Sequence, residues 1–166
     1  IHLLMKKITL IMFALIVGTT YAQTEGTAAV NAAIVSPITI SNGTALNFGT
    51  INGTPTGGDV TVSFNGNRTF SNPDMQITSA TAITAAAFSI TAADAYIYSI
   101  SIPDITLSET GGQTMDVTFA HNRNGVARRT GDGTGQILNV GGTLTVNDAQ
   151  TAGSYAGTVT VTVAYE

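Results

Sequence analysis

Three of the four arginines that follow residue 22 lie within seven positions of one another, at Arg123, Arg128 and Arg129. His121, the one histidine after residue 22, stands two places before the first of them. Guanidinium forks grouped in this way suit bidentate capture of the carboxylate or sulfate groups of a glycan. The surrounding loop, residues 122–135, also carries Asp132 and four glycines. That composition equally suits a solvated hairpin loop, with Gly supplying positive φ and Arg supplying solubility. Calcium is poorly served, because the D-x-[DN]-x-[DN]-G spacing is absent. No H-x-x-H or H-E-x-x-H pattern makes His121 a zinc ligand. No G-x-S-x-G elbow is present, and the acids are scattered singly, mostly in turns, so paired carboxylates for glycoside hydrolysis are not evident. A Ser–His–Asp triad needs no sequence adjacency, so a small secreted hydrolase stays as the last of three functional readings. The expectation is a non-enzyme without metal or cofactor, with His121 an exposed loop residue.

Whatever these residues do, the front of the chain predicts that they do it outside the cytoplasm. Met5-Lys6-Lys7 precedes an apolar run over residues 8–18, followed by Thr19-Thr20-Tyr21-Ala22. This order predicts a signal peptide over residues 1–22, starting at Met5 and cleaved after Ala22, rather than a bilayer-spanning anchor. Residues 23–166 then hold four Arg, no Lys and ten acids, a formal charge of −6. Such a surface has no electrostatic footprint for nucleic acid or anionic lipid, and no later segment is long or apolar enough to span a membrane. The chain contains no Cys, which removes disulfides, thiol nucleophiles and thiolate metal sites. Stability must come from one domain's sheet and core, over residues 23–166.

The elements that position the chemistry read as strands. The last fourteen residues place Tyr155, Val159, Val161, Val163 and Tyr165 on one face and Ala156, Thr158, Thr160, Thr162 and Ala164 on the other. Val60, Val62 and Phe64 alternate before the turn Asn65-Gly66-Asn67, and Asn72-Pro73-Asp74 marks another turn. Tyr96, Tyr98, Ile100 and Ile102 predict a central strand, and Met115, Val117 and Phe119 a further one. Residues 45–48 predict a short strand. Met75 with Ile77, and Ile83 with Phe88 and Ile90, predict weaker ones. Residues 137–140 and 144–146 read as a hairpin about Gly141-Gly142. Eight to ten short strands at near-regular spacing argue an all-β, immunoglobulin-like antiparallel β-sandwich. Near the front, Ala28, Val30, Ala32 and Ile34 alternate before Pro37. This segment reads either as a strand donated to the open sheet edge of a neighbouring subunit or as the first strand of its own domain.

The stretches Ala33-Ile34-Val35-Ser36-Pro37-Ile38-Thr39-Ile40, Leu46-Asn47-Phe48-Gly49-Thr50-Ile51, Leu138-Asn139-Val140-Gly141-Gly142-Thr143-Leu144 and Ala152-Gly153-Ser154-Tyr155-Ala156-Gly157-Thr158 resemble a secreted bacterial family, the domain of unknown function numbered 4402. That resemblance implies no chemistry. More distantly, the chain resembles pilin subunits of the chaperone–usher type, including the spore-coat-U-like group, in Gly153 fourteen places from the end, the penultimate Tyr165, and the Leu46-Asn47-Phe48-Gly49-Thr50 segment. It departs from many of them in lacking a Cys pair. The pilin resemblance implies a C-terminal strand carrying Gly153, Val159, Val161, Val163 and Tyr165, and assembly by strand addition.

The leading expectation is therefore a secreted structural or adhesive cell-surface protein, a pilin-like filament subunit whose partners are copies of itself or other surface subunits. The alternative is a monomeric glycan- or matrix-binding module.

Overall fold

The structure, a computed structural model, describes residues 24–123 and 128–166, with the main chain alone at Asn42 and Arg128. The proposed signal peptide, the cleavage point before Gln23, and residues 124–127 of the arginine loop lie outside the described residues. By its internal contacts the chain divides after Ile34. In the first unit, residues 24–34 form no helix or strand, and Val30 and Ile34 are fully exposed at 94% and 101%.

The second unit, Val35–Glu166, is an antiparallel β-sandwich of ten strands. The larger sheet holds β1 (Thr39–Asn42), β2 (Gly58–Val62), β3 (Arg68–Phe70), β4 (Ala86–Thr91), β6 (Ile105–Ser108), β7 (Thr114–His121) and β9 (Gly135–Val146). The smaller sheet runs β10–β5–β8, with β5 at Ile97–Ser101, β8 at Arg128–Thr130 and β10 at Thr162–Tyr165. The one described helical turn is a 3-10 turn at Pro73–Met75, where the Asn72 side chain accepts the Asp74 N–H. Pro73 sits where a missing N–H costs nothing, so the predicted turn is a helical start with a cap.

Strand β9 organises the larger sheet. It pairs with β4 through residues 135–140, with β7 through 140–145 and with β2 through 142–146. The expected hairpin about Gly141-Gly142 is therefore one continuous strand of 12 residues. The glycines mark not a reversal but the point where β9 exchanges one neighbour, β4, for another, β2. A Cβ on Gly141 would strike the Val62 carbonyl oxygen, so only glycine lets the end of β2 come this close.

The core forms where alternation predicts it, because each strand turns one face inward. Val60, Val117, Leu138, Val140, Leu144, Ile90 and Tyr98 are all buried. One cluster centres on Ile90, Tyr98, Leu138 and Val140, and a second on Val60, Met75, Val117 and Leu144. Other expectations give way to local geometry. Residues 45–48 form no strand, only an isolated bridge between Asn47 and Thr84. Met75 lies in the 3-10 turn, Ile77 and Ile83 lie outside any strand, and Phe64 is 37% exposed beyond the end of β2. The C-terminal segment keeps its predicted facing, with Tyr155, Val159, Val161, Val163 and Tyr165 partly buried and their alternates exposed, but its ladder extends only over Thr162–Tyr165.

Candidate functional site: an open groove between two unladdered banks

The C-terminal segment and the segment after β1 form the banks of a groove of about 980 Å³ that runs along the edge of the second core cluster. Its floor is apolar, built from Met115, Val117 and Phe119 of β7, Leu144 of β9 and Phe88 of β4. Leu46, Phe48 and Ile51 on one bank, and Tyr155 and Val159 on the other, are only partly buried although they pack on the core clusters.

The first bank, residues 43–53, is held from behind. The Gly43 N–H donates to Ala87 O, and Asn47 and Thr84 exchange backbone bonds of 2.9 and 3.2 Å. Past Asn47 the chain turns at Gly49, which has φ +75° and donates its N–H to the Asn47 side chain. Arg68 then takes over: Nη1 donates to the carbonyls of Phe48 and Thr50 at 2.8 and 2.7 Å, and Nη2 to Ile77 O at 3.0 Å. The guanidinium lies 4.7 Å from the centre of the Phe70 ring, a cation–π contact. One arginine thus replaces the strand ladder that this bank lacks.

The second bank, residues 150–159, is held by a tyrosine. The Tyr155 hydroxyl donates to Thr151 O at 2.7 Å and accepts from Gln150 Nε2 at 2.7 Å, while Gln150 Oε1 accepts from Asn147. Ser108 and Ala156 exchange two backbone bonds of 3.0 Å. Gly153 and Gly157 press against β6 and the turn after it: a Cβ on Gly157 would lie 2.7 Å from Leu107 Cδ2, and one on Gly153 would lie 2.6 Å from Glu109 Cγ. The sequence singled out Gly153; Gly157 makes a similar close approach. From residue 157 to residue 161 no main-chain group bonds to another main-chain group among the described residues. Leu46 likewise has no main-chain bond among them. The second bank therefore carries a stretch of main chain, residues 157–161, without backbone partners among the described residues, a feature that sheets normally cover or blunt, while the first bank leaves Leu46 so.

The other predicted residues lie elsewhere. Val161, Val163 and Tyr165 pack on the first core cluster. The Tyr165 hydroxyl accepts the Ala93 N–H at 2.7 Å and donates to Ser36 O at 3.0 Å, so the penultimate aromatic is an internal latch. Ala28, Val30, Ala32 and Ile34 are exposed and unpaired into strands. Arg123 follows β7, whereas Arg129 lies in strand β8 rather than in the expected loop, and the Arg128 side chain lies outside the described residues. His121 ends β7 half-buried rather than exposed in a loop, and its Nδ1 accepts the Arg123 N–H at 3.2 Å. Burial first, and then the charges of Arg123 and Arg129, hold the imidazole below its ordinary pKa and favour its neutral form. Among the described residues no group of three or more His, Asp or Glu is placed to hold a metal ion, and no helix is long and apolar enough to cross a membrane.

No curated protein and no solved structure matches the chain. Residues 38–165, which include both banks and all ten strands, match the family model described as a domain of unknown function, DUF4402, and the chain belongs to that family.

Proposed function

We propose that the protein is an exported structural subunit of the cell surface whose groove accepts an extended strand from a second copy, so that copies join into a filament. The observation that carries this reading is the groove itself, an apolar cleft along the second core cluster with a stretch of unbonded main chain, residues 157–161, on one bank. An inserted strand bonds to that edge and lays alternate side chains over the cleft. The proposed donor is residues 23–36, with Ala28, Val30, Ala32 and Ile34 turned to the floor. This segment suits the slot because it is uncharged from Gly26 to Ser36, alternates with small and branched apolar residues, and forms no strand of its own over its described residues 24–36. At about 3.3 Å per residue, nine or ten extended residues reach about 30 Å.

The test pairs a chain deleted for residues 23–36 with a synthetic peptide of that sequence. The deleted chain should bind the peptide with 1:1 stoichiometry, gain thermal stability, and form no polymer. The undeleted protein should run as an SDS-resistant ladder before boiling. A deleted chain that ignores the peptide, together with an intact protein that stays monomeric unboiled, would replace this reading with the monomeric binding module.

A further inference from the structure

We propose that one end of the sandwich, where Arg123 and Arg129 approach Tyr98 and His121, is a binding site for an oxyanion, a carboxylate or sulfate held by the two guanidinium groups. The site stands apart from the groove and does not depend on strand acceptance.

The pairing register supplies the first argument. Arg129 of β8 lies directly opposite Tyr98 of β5, and directly opposed residues project from the same face of a sheet. Tyr98 is fully buried in the core between the sheets, with its hydroxyl donating to Gln136 Oε1. Arg129 therefore points inward, where an arginine needs acceptors.

Those acceptors are missing among the described residues. The Nε atoms of both Arg123 and Arg129 are buried without a hydrogen-bond partner. Arg123 spends one terminal nitrogen on Ile137 O at 3.0 Å. Arg68 shows what a purely structural arginine looks like in this protein: its terminal nitrogens reach three carbonyl oxygens. Among the described residues Arg129 makes no side-chain bond of that kind.

Both cations act on the same two groups. Each lowers the pKa of the Tyr98 hydroxyl against the larger effect of burial, and each lowers that of His121. The carboxylate that the Tyr98 hydroxyl senses is Asp132, which is already engaged with the N–H and hydroxyl of Thr134. A chain with a strong acidic excess thus gathers two under-used guanidiniums at one end of its core. An oxyanion would supply both the acceptors and the countercharge, through the fork geometry that arginine offers to planar or tetrahedral oxygens.

The test titrates the intact protein with sodium sulfate, sodium acetate and a glucuronic acid trisaccharide at fixed ionic strength, following heat and the His121 imidazole resonances. At least one probe should bind saturably and shift the His121 signals. Arg129→Gln and Arg123→Gln should each weaken that binding about tenfold or more. Arg129→Met should lose binding yet raise the thermal midpoint without anion, because it removes a buried cation that lacks a partner. Trisaccharide binding tenfold tighter than sulfate would assign the oxyanion to a sugar acid; equal affinity would assign it to a free anion; either supports the site. No saturable binding by any probe would overturn the proposal. So would unchanged affinity in Arg129→Gln, or a lowered midpoint in Arg129→Met, which would make the guanidinium structural.

Discussion

The hydroxyl of Tyr165 donates to the carbonyl of Ser36 at 3.0 Å, across 129 positions of sequence. The same hydroxyl accepts the Ala93 N–H at 2.7 Å, and its ring meets Tyr96 edge-on at 6.0 Å. One side chain thus ties the closing strand to the entry of the sandwich and to the turn before β5. Tyr165→Phe keeps the ring and removes both bonds, leaving a part-buried N–H without its acceptor. The expected loss is about 1–3 kcal/mol, read by urea denaturation. A variant as stable as the parent would show that water replaces the hydroxyl at no cost.

Val161 and Thr160 test the facing of the same segment. Val161 packs on the first core cluster, while Thr160 is exposed. Val161→Asp forces a carboxylate against apolar neighbours and should cost about 2–4 kcal/mol. Thr160→Asp should change stability by about 0.5 kcal/mol or less. Equal thermal midpoints for the two variants would contradict the facing.

These residues also show what the sequence makes legible. Period-two alternation identifies which side of a strand is wet, and it does so correctly for Val161, Val163, Met115 and Val117, because burial of one face is a local property of the strand. It does not identify which edges are paired. Residues 157–161 read as continuous strand with 162–165, yet only the latter find a partner in β5. Gly141-Gly142 read as a hairpin because glycine at a turn and glycine at a close crossing look alike in sequence; the carbonyl of Val62, 79 positions away, decides between them. The groove had no signature of its own, since it is made by bonds that neighbouring segments do not form. Arg68 has no sequence signature for a similar reason: its three acceptors come from Phe48, Thr50 and Ile77, which no motif groups together.

His121 predicts a pH dependence. Its pKa in the folded protein lies below the ordinary imidazole value of about 6.5, chiefly through burial and then through Arg123 and Arg129. The unfolded chain therefore binds more protons than the folded one between the folded pKa and about 6.5. Stability should be full above that window, fall as pH drops through it, and level off below the folded pKa. His121→Gln should flatten the slope between pH 7.5 and 5.5 in urea titrations. Asp132, whose carboxyl is held below its ordinary range first by the Thr134 N–H, acts in a separate window: its contribution is present above the unfolded carboxylate pKa and is lost as pH falls through the folded one. A slope that survives in His121→Gln would assign the near-neutral dependence to some other group.

Arg68 offers the sharpest separation of fold from groove. Its three carbonyl acceptors lie on, or directly behind, the bank formed by residues 43–53, and the buried strands β4, β7 and β9 do not use it. Arg68→Met keeps much of the stem over Phe70 but releases Phe48 O and Thr50 O. The expected destabilisation is about 2–4 kcal/mol, since hydrogen bonds to charged donors contribute about 1.5–3 kcal/mol each and are not additive. Arg68→Lys, with a single ammonium and no fork, should recover only part of it. The functional consequence should be larger than the structural one. With the bank unpinned, Leu46 and Phe48 can fold over the floor, and a strand entering the groove must first displace them. The peptide of residues 23–36 should therefore bind Arg68→Met at least tenfold more weakly than the parent, measured at a temperature where circular dichroism shows both chains fully folded. Parental peptide affinity in a folded Arg68→Met chain would mean that the bank holds its shape without the arginine, and that the edge facing the groove is set by the Asn47–Thr84 bridge alone.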